Sequence, residues 1–191
     1  ECVLGDRELG NTVAVVGAGG IGFDVAEFLT TDVSPTLHLK EWEQEWGVDD
    51  DPEVPGFVTT PRPAPAARQV YMVQRKTSRM GKGLGKTTGW VHRASVKMKG
   101  VEQILGATYD KIDDQGLHLS FRDDEGNVTD TRVLEVDNVV ICAGQESVRD
   151  LVDPLTLAGV TTHVIGGADY AGELDAKRAI RQGTEVAAGI D

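Results

Sequence analysis

The sequence predicts an α/β fold in which a doubly wound parallel sheet carries an inserted antiparallel β-meander, and three features support it. An apolar strand runs into a Gly-x-Gly-x-x-Gly turn and then a helix: residues 12–22 read Thr-Val-Ala-Val-Val-Gly-Ala-Gly-Gly-Ile-Gly. Further strand-like segments follow at 69–73 and at 138–142, the latter reading as a fully apolar buried strand. Between them, alternating segments are joined by two turn signals, Asp113-Asp114-Gln115-Gly116 and Asp123-Asp124-Glu125-Gly126.

Taken in order, residues 13–16 form the first strand and 20–29 the first helix, with Asp24 and Glu27 in its early turns, where the helix dipole favours acids. Residues 34–67 hold six of the seven prolines and read as an irregular insertion. Gln-Val-Tyr-Met-Val at 69–73 is the second strand. Residues 88–99 form a helix with Val91, Ala94, Ser95 and Met98 on one face and Gly100 as its stop. Strands at 102–113, 117–122 and 131–136 make the meander, followed by a fully buried strand at 138–142, another at 164–166 and a closing helix at 174–188. This order is Rossmann-like.

The glycines have separate physical reasons. Gly17 permits the tight strand-to-helix turn, Gly19 and Gly20 let the backbone approach a pyrophosphate, and Gly22 lets helix and strand pack closely. The helix N-terminus presents N–H groups and the positive dipole end to the diphosphate.

Composition narrows the function classes. At 191 residues and 40% hydrophobic, the chain can bury a real core. No apolar run approaches the ~20 residues of a membrane helix, and no basic-then-apolar leader opens the chain, so a soluble, cytoplasmic protein with no membrane partner is expected. Cys2 and Cys142 form no C-x-x-C, which encodes neither a disulfide scaffold nor a metal or iron–sulfur site. A net charge of −12 argues against nucleic acid.

That charge is unevenly spread. Residues 54–101 contain no Asp or Glu but ten basic residues, among them Arg75, Lys76, Arg79, Lys82, Lys86, Arg93 and Lys97, so an anion belongs near this segment. Counting ~20 residues from Gly22 reaches Glu41, which would favour NAD. The count fails because residues 37–46 have no sustained strand pattern. The better second strand ends in Gln74-Arg75-Lys76, and Arg75 can fork two hydrogen bonds to the 2′-phosphate of NADPH.

Residues 81–87 (Gly-Lys-Gly-Leu-Gly-Lys-Thr) stop one residue short of a nucleotide-triphosphate loop, since Met80 stands where the first glycine belongs. A basic lid whose Lys86 touches a cofactor phosphate fits better. Near the C-terminus, His-Val-Ile-Gly-Gly-Ala-Asp at 163–169 reads as a strand ending in glycines and an acid, either a plain strand-end turn or, as in many flavoproteins, a place where Gly167 and Asp169 meet a flavin ribityl hydroxyl of FAD. The 139–144 segment, ending in Gly144, resembles the strand-end glycine that in the same enzymes marks the crossover between nucleotide domains. His92, His118 and His163 read as surface or strand-end residues, and Trp90 as packing under its helix rather than stacking on adenine. No residue is needed as acid or base, because hydride transfer to flavin depends chiefly on cofactor placement.

The combination of Gly-Ala-Gly-Gly-Ile-Gly-Phe-Asp (17–24), Gln-Arg-Lys (74–76), Gly-Leu-Gly-Lys-Thr-Thr-Gly-Trp (83–90), Lys-Ile-Asp-Asp (111–114), Asp-Asn-Val-Val-Ile-Cys-Ala-Gly-Gln-Glu (137–146) and Glu-Leu-Asp-Ala-Lys-Arg-Ala-Ile (173–180) resembles the C-terminal part of bacterial-type NADPH-dependent 2,4-dienoyl-CoA reductases. The resemblance covers nearly the whole chain except the Pro-rich insertion, 30–68. Ser147 departs from it, standing where Pro is expected.

The resemblance implies a fragment of a longer flavoenzyme of fatty acid β-oxidation, in which electrons pass from NADPH through FAD, a 4Fe-4S cluster and FMN to a dienoyl thioester. FMN and the cluster would lie in a preceding barrel, and the rest of that polypeptide would be the partner. Residues 1–10, with Val3-Leu4-Gly5, would be the tail of a preceding segment, 11–142 the NADPH domain and 143–191 the C-terminal part of the FAD domain. Two other readings stay open: a freestanding dinucleotide-binding module without turnover, and the nucleotide domain of a related flavin amine dehydrogenase.

Overall fold

The computed structural model describes residues 7–172 and 176–190. The chain divides into two compact units, Glu1–Ala143 and Gly144–Asp191.

In the first unit the order is β1 (Thr12–Val16), α1 (Gly20–Thr30), α2 (Leu39–Trp46), β2 (Gln69–Val73), α3 (Gly89–Met98), β3 (Glu102–Ile104), β4 (Ala107–Asp113), β5 (Gly116–Arg122), β6 (Val128–Leu134) and β7 (Asn138–Ile141). Four strands form a parallel sheet in the order β3-β2-β1-β7, and β4-β5-β6 form a separate antiparallel sheet. Alternation along β1 explains the layering. Val13 and Val15 join Phe23, Leu29, Val70, Met72 and Val96 on the side of α1 and α3, whereas Ala14 and Val16 join Val73, Ile104, Leu117, Leu119 and Leu134 on the side of the meander. The central strands β1 and β2 are covered on both faces, by helices on one and by the antiparallel sheet on the other. Each fully buried valine, leucine or methionine contributes roughly 1.5–3 kcal/mol.

Several boundaries differ from the sequence expectation. The strand predicted over 102–113 is two strands, because Gly106 takes φ +71° and turns the chain from the parallel sheet into the meander. β6 begins at Val128 rather than at 131: its outward residues are polar and exposed, which hides the strand pattern on an edge. In α3 the fully buried residue is Val96, not a member of the predicted face. β7 is not the fully buried strand expected. It is the edge of its sheet, and Ile141 is 72% exposed.

The Pro-rich insertion is more ordered than its composition suggests. It contains α2, short 3-10 turns at Pro35–Leu37 and Pro55–Phe57, and a Val48 to Val58 bridge. Trp46 packs against Trp42 and, edge-on, against Trp90 of α3, both at 6.5 Å. Lys99 beyond α3 pairs with Glu45 at 2.8 Å and donates to the Ala64 carbonyl. Two helical turns are marginal alone, so it is these contacts that hold α2.

In the second unit, α4 (Val152–Leu157), α5 (Gly166–Asp169) and α6 (Ala176–Ala188) are the described elements. The strand expected at 164–166 is absent among the described residues: Ile165 is extended and unpaired with any strand, and Gly166 already starts the single turn α5. The closing helix begins at Ala176, and its expected start at Leu174 lies outside the described residues, as do Cys2 and Val3-Leu4-Gly5. Among the described residues no helix is long and apolar enough to cross a membrane.

Candidate functional site

The C-terminal edge of the parallel sheet contains a topological switch. From β1 the chain proceeds to β2 and β3 on one side, while β7 pairs with β1 on the other, and in open α/β sheets ligands occupy the crevice at this point. The exit of β1 is clamped from both sides: Gly17 N donates to Val73 O at 2.9 Å, and Cys142 N donates to Val16 O at 2.7 Å. Only glycine fits at Gly17. Its φ is +112°, and a Cβ there would stand 2.5 Å from the Cys142 carbonyl oxygen. A Cβ at Gly22 would run into the carbonyl of Gly17, the close strand–helix approach expected of the third motif glycine.

Gly19 and Gly20 are different. Both are exposed, and a Cβ on either would meet nothing within 4 Å. Their lack of side chains therefore serves no internal packing and keeps the outer face of the turn clear. Gly19 is also the N-cap of α1 and offers no side-chain acceptor to the helix's first N–H groups. The first turn has no carboxylate either, since Asp24 and Glu27 fall beyond it. The arrangement is an uncapped helix N-terminus behind a bare glycine turn, which suits a diphosphate.

The register Val16 to Val73 brings the end of β2 level with this turn, so Arg75 and Lys76 stand at the same sheet edge, both exposed. The basic loop that follows is seated on α1. Met80 is 1% exposed and belongs to the same core as Phe23, and a Cβ on Gly81 would be 2.9 Å from the Phe23 ring. Arg93 of α3 donates to the Gly81 carbonyl at 3.1 Å. Lys82 and Lys86 thus sit in a loop anchored against the first turns of α1. No strand leads into residues 81–87, since β2 ends at Val73. Among the described residues none of Arg75, Lys76, Arg79, Lys82 and Lys86 forms an ion pair. Arg75 and Lys76 at this sheet edge and Lys82 and Lys86 on the anchored loop have no carboxylate partner among the described residues and leave a surplus of positive charge for an anion, while Arg79 lines a separate hollow with Arg93, Lys97 and Gln103.

A cavity of about 930 Å³ lies at the opposite end of the strands, between the insertion and the end of α1. It is lined by Asp32, Glu41 and Glu45 as well as Arg62, Arg68 and Lys99, and Lys99 is already paired, so its charge does not select an anion. Glu41, the acid reached by literal counting, lines this cavity, away from the glycine turn.

In the second unit, Gly144 has φ +108° with open space at its Cβ position, and Gly167 and Asp169 lie within α5. Gln182 of α6 clips α5 at both ends, accepting from Gly166 N and donating to Asp169 Oδ2, each at 2.8 Å. Arg149 donates to the carbonyls of Ala168 and Asp169. Ser147, the departure from the family pattern, accepts from Ala171 N at 2.9 Å, a bond proline could not provide.

The histidines have structural partners or are exposed. His92 bonds Glu27 between α3 and α1 at 3.0 Å, and burial pushes the Glu27 carboxyl up while His92 opposes it. His118 bonds Asp113 at 2.8 Å, and His163 is exposed. Trp90 does not pack under its own helix. It is 59% exposed and meets Trp46 of the insertion. No cluster of His, Cys, Asp and Glu able to hold a metal occurs among the described residues. Sequence reading missed Phe23 and Met80 as the joint between glycine turn and basic loop; an isolated methionine among cations was the available signal.

A family model described as pyridine nucleotide-disulphide oxidoreductase matches residues 3–175. The chain belongs to that family. Its members are flavin- and NAD(P)-dependent oxidoreductases, so the Rossmann-like unit serves nucleotide-cofactor binding. Among solved structures, 2-naphthoyl-CoA reductase in complex with 2-naphthoyl-CoA is similar at a TM-score of 0.59 and 18% identity, over 98% of this chain and 22% of that one. Bacillithiol disulfide reductase Bdr (YpdA) from Staphylococcus aureus matches with a TM-score of 0.43 and 14% identity, over 83% of this chain and 36% of that one. This chain therefore spans 22% and 36% of the lengths of these two, and the first likeness is one of fold.

Proposed function

We propose that the first unit is the NADPH seat of a flavin-dependent reductase resembling the 2,4-dienoyl-CoA reductases, and that its task is to present NADPH to FAD. The observation that carries this reading is the bare, uncapped glycine turn with Arg75, Lys76, Lys82 and Lys86 on the neighbouring sheet edge and loop, none of them paired with a carboxylate among the described residues. Gly17, Gly19, Gly20 and Gly22 shape the turn for the pyrophosphate, and Arg75 and Lys76 take the 2′-phosphate. Lys86, on the anchored loop, adds a further phosphate contact. When bound, the reduced nicotinamide supplies a hydride to flavin, and the chain's own residues orient the cofactor and carry no proton in that step. Residues 143–191 form the C-terminal part of the FAD domain in this reading, with Gly144, Gly167 and Asp169 toward the flavin. FMN and a 4Fe-4S cluster belong to a segment outside this chain.

Each charge-assisted contact to the 2′-phosphate is worth about 1.5–3 kcal/mol, so NADPH should bind at least about tenfold tighter than NADH. Tryptophan fluorescence titration at fixed salt, with wild type beside Arg75→Glu, tests it. Loss of the preference in Arg75→Glu is expected; equal affinities in wild type, or an unchanged ratio in the variant, would overturn it.

A further inference from the structure

We infer that Gln74 is the positioning residue of the phosphate-selecting loop, and that the inserted meander takes part in cofactor choice through it. The inference rests on the proposal that Arg75 and Lys76 meet the 2′-phosphate. Both are exposed and form no ion pair among the described residues, so no carboxylate holds the loop that carries them.

The loop's backbone is tied down instead. The Gln74 side-chain amide donates to the Lys76 carbonyl at 2.9 Å and to the Ser78 carbonyl at 2.5 Å, closing residues 74–78 on themselves. Its own backbone is stitched to the turn between β3 and β4: Gln74 N donates to Ile104 O at 3.0 Å, and Ala107 N donates to Gln74 O at 3.1 Å. From the same turn Gly106 N donates to Lys76 O at 3.2 Å, with φ +71° at Gly106. Tyr109 of β4 donates its hydroxyl to Val73 O at 3.2 Å, at the root of the loop. Burial pushes the Tyr109 phenol up, and the nearby Arg75 charge opposes that shift, so the two side chains share one environment.

An amide has two N–H donors, and here both point to carbonyls of the loop it precedes. A free loop bearing two cations would have to be ordered when the phosphate arrives, which subtracts from affinity. A braced loop has already been ordered by folding. The Gln74 side-chain bonds act on the 2′-phosphate end alone, whereas the Tyr109 hydroxyl reaches the Val73 carbonyl that also receives Gly17 N. The glycine turn that both NADPH and NADH would use is held by other bonds, Gly17 N donating to Val73 O and Cys142 N donating to Val16 O.

The test is equilibrium binding of NADPH and of NADH to Gln74→Met, which keeps the length of the side chain and removes both donors, and to Gln74→Asn, which keeps an amide that cannot span the loop. Gln74→Met should weaken NADPH about tenfold and NADH less than about twofold, with the melting temperature nearly unchanged and Gln74→Asn intermediate. Equal loss for both cofactors, or no change for NADPH in both variants, would overturn the inference. Arg75→Glu measured in parallel separates the two claims. If Arg75→Glu abolishes the preference while both Gln74 variants keep it, the brace fails alone; if Arg75→Glu keeps the preference, the phosphate reading beneath it fails.

Discussion

Replacing Gly17 and Gly19 separately with alanine distinguishes the two kinds of glycine in the turn. At Gly17 the backbone has φ +112°, outside the range of L side chains, and the new methyl would sit 2.5 Å from the Cys142 carbonyl oxygen and 2.7 Å from its carbon. Both neighbours are backbone at the end of β7, so relief requires moving a strand. Backbone strain of this kind costs of order 1–3 kcal/mol, and the steric conflict raises the total to about 3 kcal/mol or more. For a chain of this size that lowers the melting temperature by roughly 6–12 °C. At Gly19 φ is −83° and ψ −172°, which any residue adopts, and the methyl meets nothing. Loss of glycine at an N-cap and the reduced freedom of the unfolded chain oppose each other, each below about 1 kcal/mol, so stability should hardly move. Dinucleotide affinity should fall about tenfold or more, because the methyl occupies the face proposed for the pyrophosphate. Scanning calorimetry and fluorescence titration read the two effects. An unaltered melting point in Gly17→Ala, or wild-type cofactor affinity in Gly19→Ala, would refute the reasoning.

Phe23→Ala removes a fully buried ring that joins α1 to Met80 and Gly81, and should cost about 3–5 kcal/mol in chemical denaturation, far more than Phe28→Ala at a 45% exposed site. Trp46→Ala should expose the insertion to limited proteolysis within residues 34–67 while the sheet core stays protected, since Trp46 links Trp42 to Trp90. Asp137 accepts from the Thr12 N–H and hydroxyl, both at 2.9 Å, and these bonds hold its carboxyl below the usual range. Its folded value lies below its unfolded one, so its contribution is present above the ordinary carboxylate range and lost as pH falls through the depressed folded value. Denaturation midpoints of wild type and Asp137→Asn should differ at pH 7, and the difference should shrink as pH falls below the ordinary carboxylate range.

Legibility followed the range of the interactions. The glycine turn and β2 were readable because strand, turn and helix requirements fall on adjacent residues: Val13–Val16 sits within β1, and residues 69–73 match β2. Both Asp-rich turns were readable because each is closed locally, Asp113 accepting from Gln115 N and Asp123 from Glu125 N and Asn127 N. The insertion's helix was not, since Trp46 and Glu45 find their partners, Trp90 and Lys99, far along the chain. The edge position of β7 and the lone turn at Gly166–Asp169 were invisible for a related reason: an apolar segment does not reveal whether a neighbouring strand pairs with it. In the candidate site, the cations were plain from composition, but the bonds from Gln74 and Gly106 that hold their loop depend on the meander's placement.

The central claim, that one dinucleotide lies across the glycine turn with its 2′-phosphate at the end of β2, is tested most directly by amide chemical-shift mapping with 2′,5′-ADP beside 5′-ADP. Both ligands should shift the amides of Gly19, Gly20 and Ile21, and only the 2′-phosphorylated one those of Gln74, Arg75 and Lys76. Shifts gathered instead around the 930 Å³ cavity at Glu41 and Arg62, or identical maps for the two ligands, would contradict it.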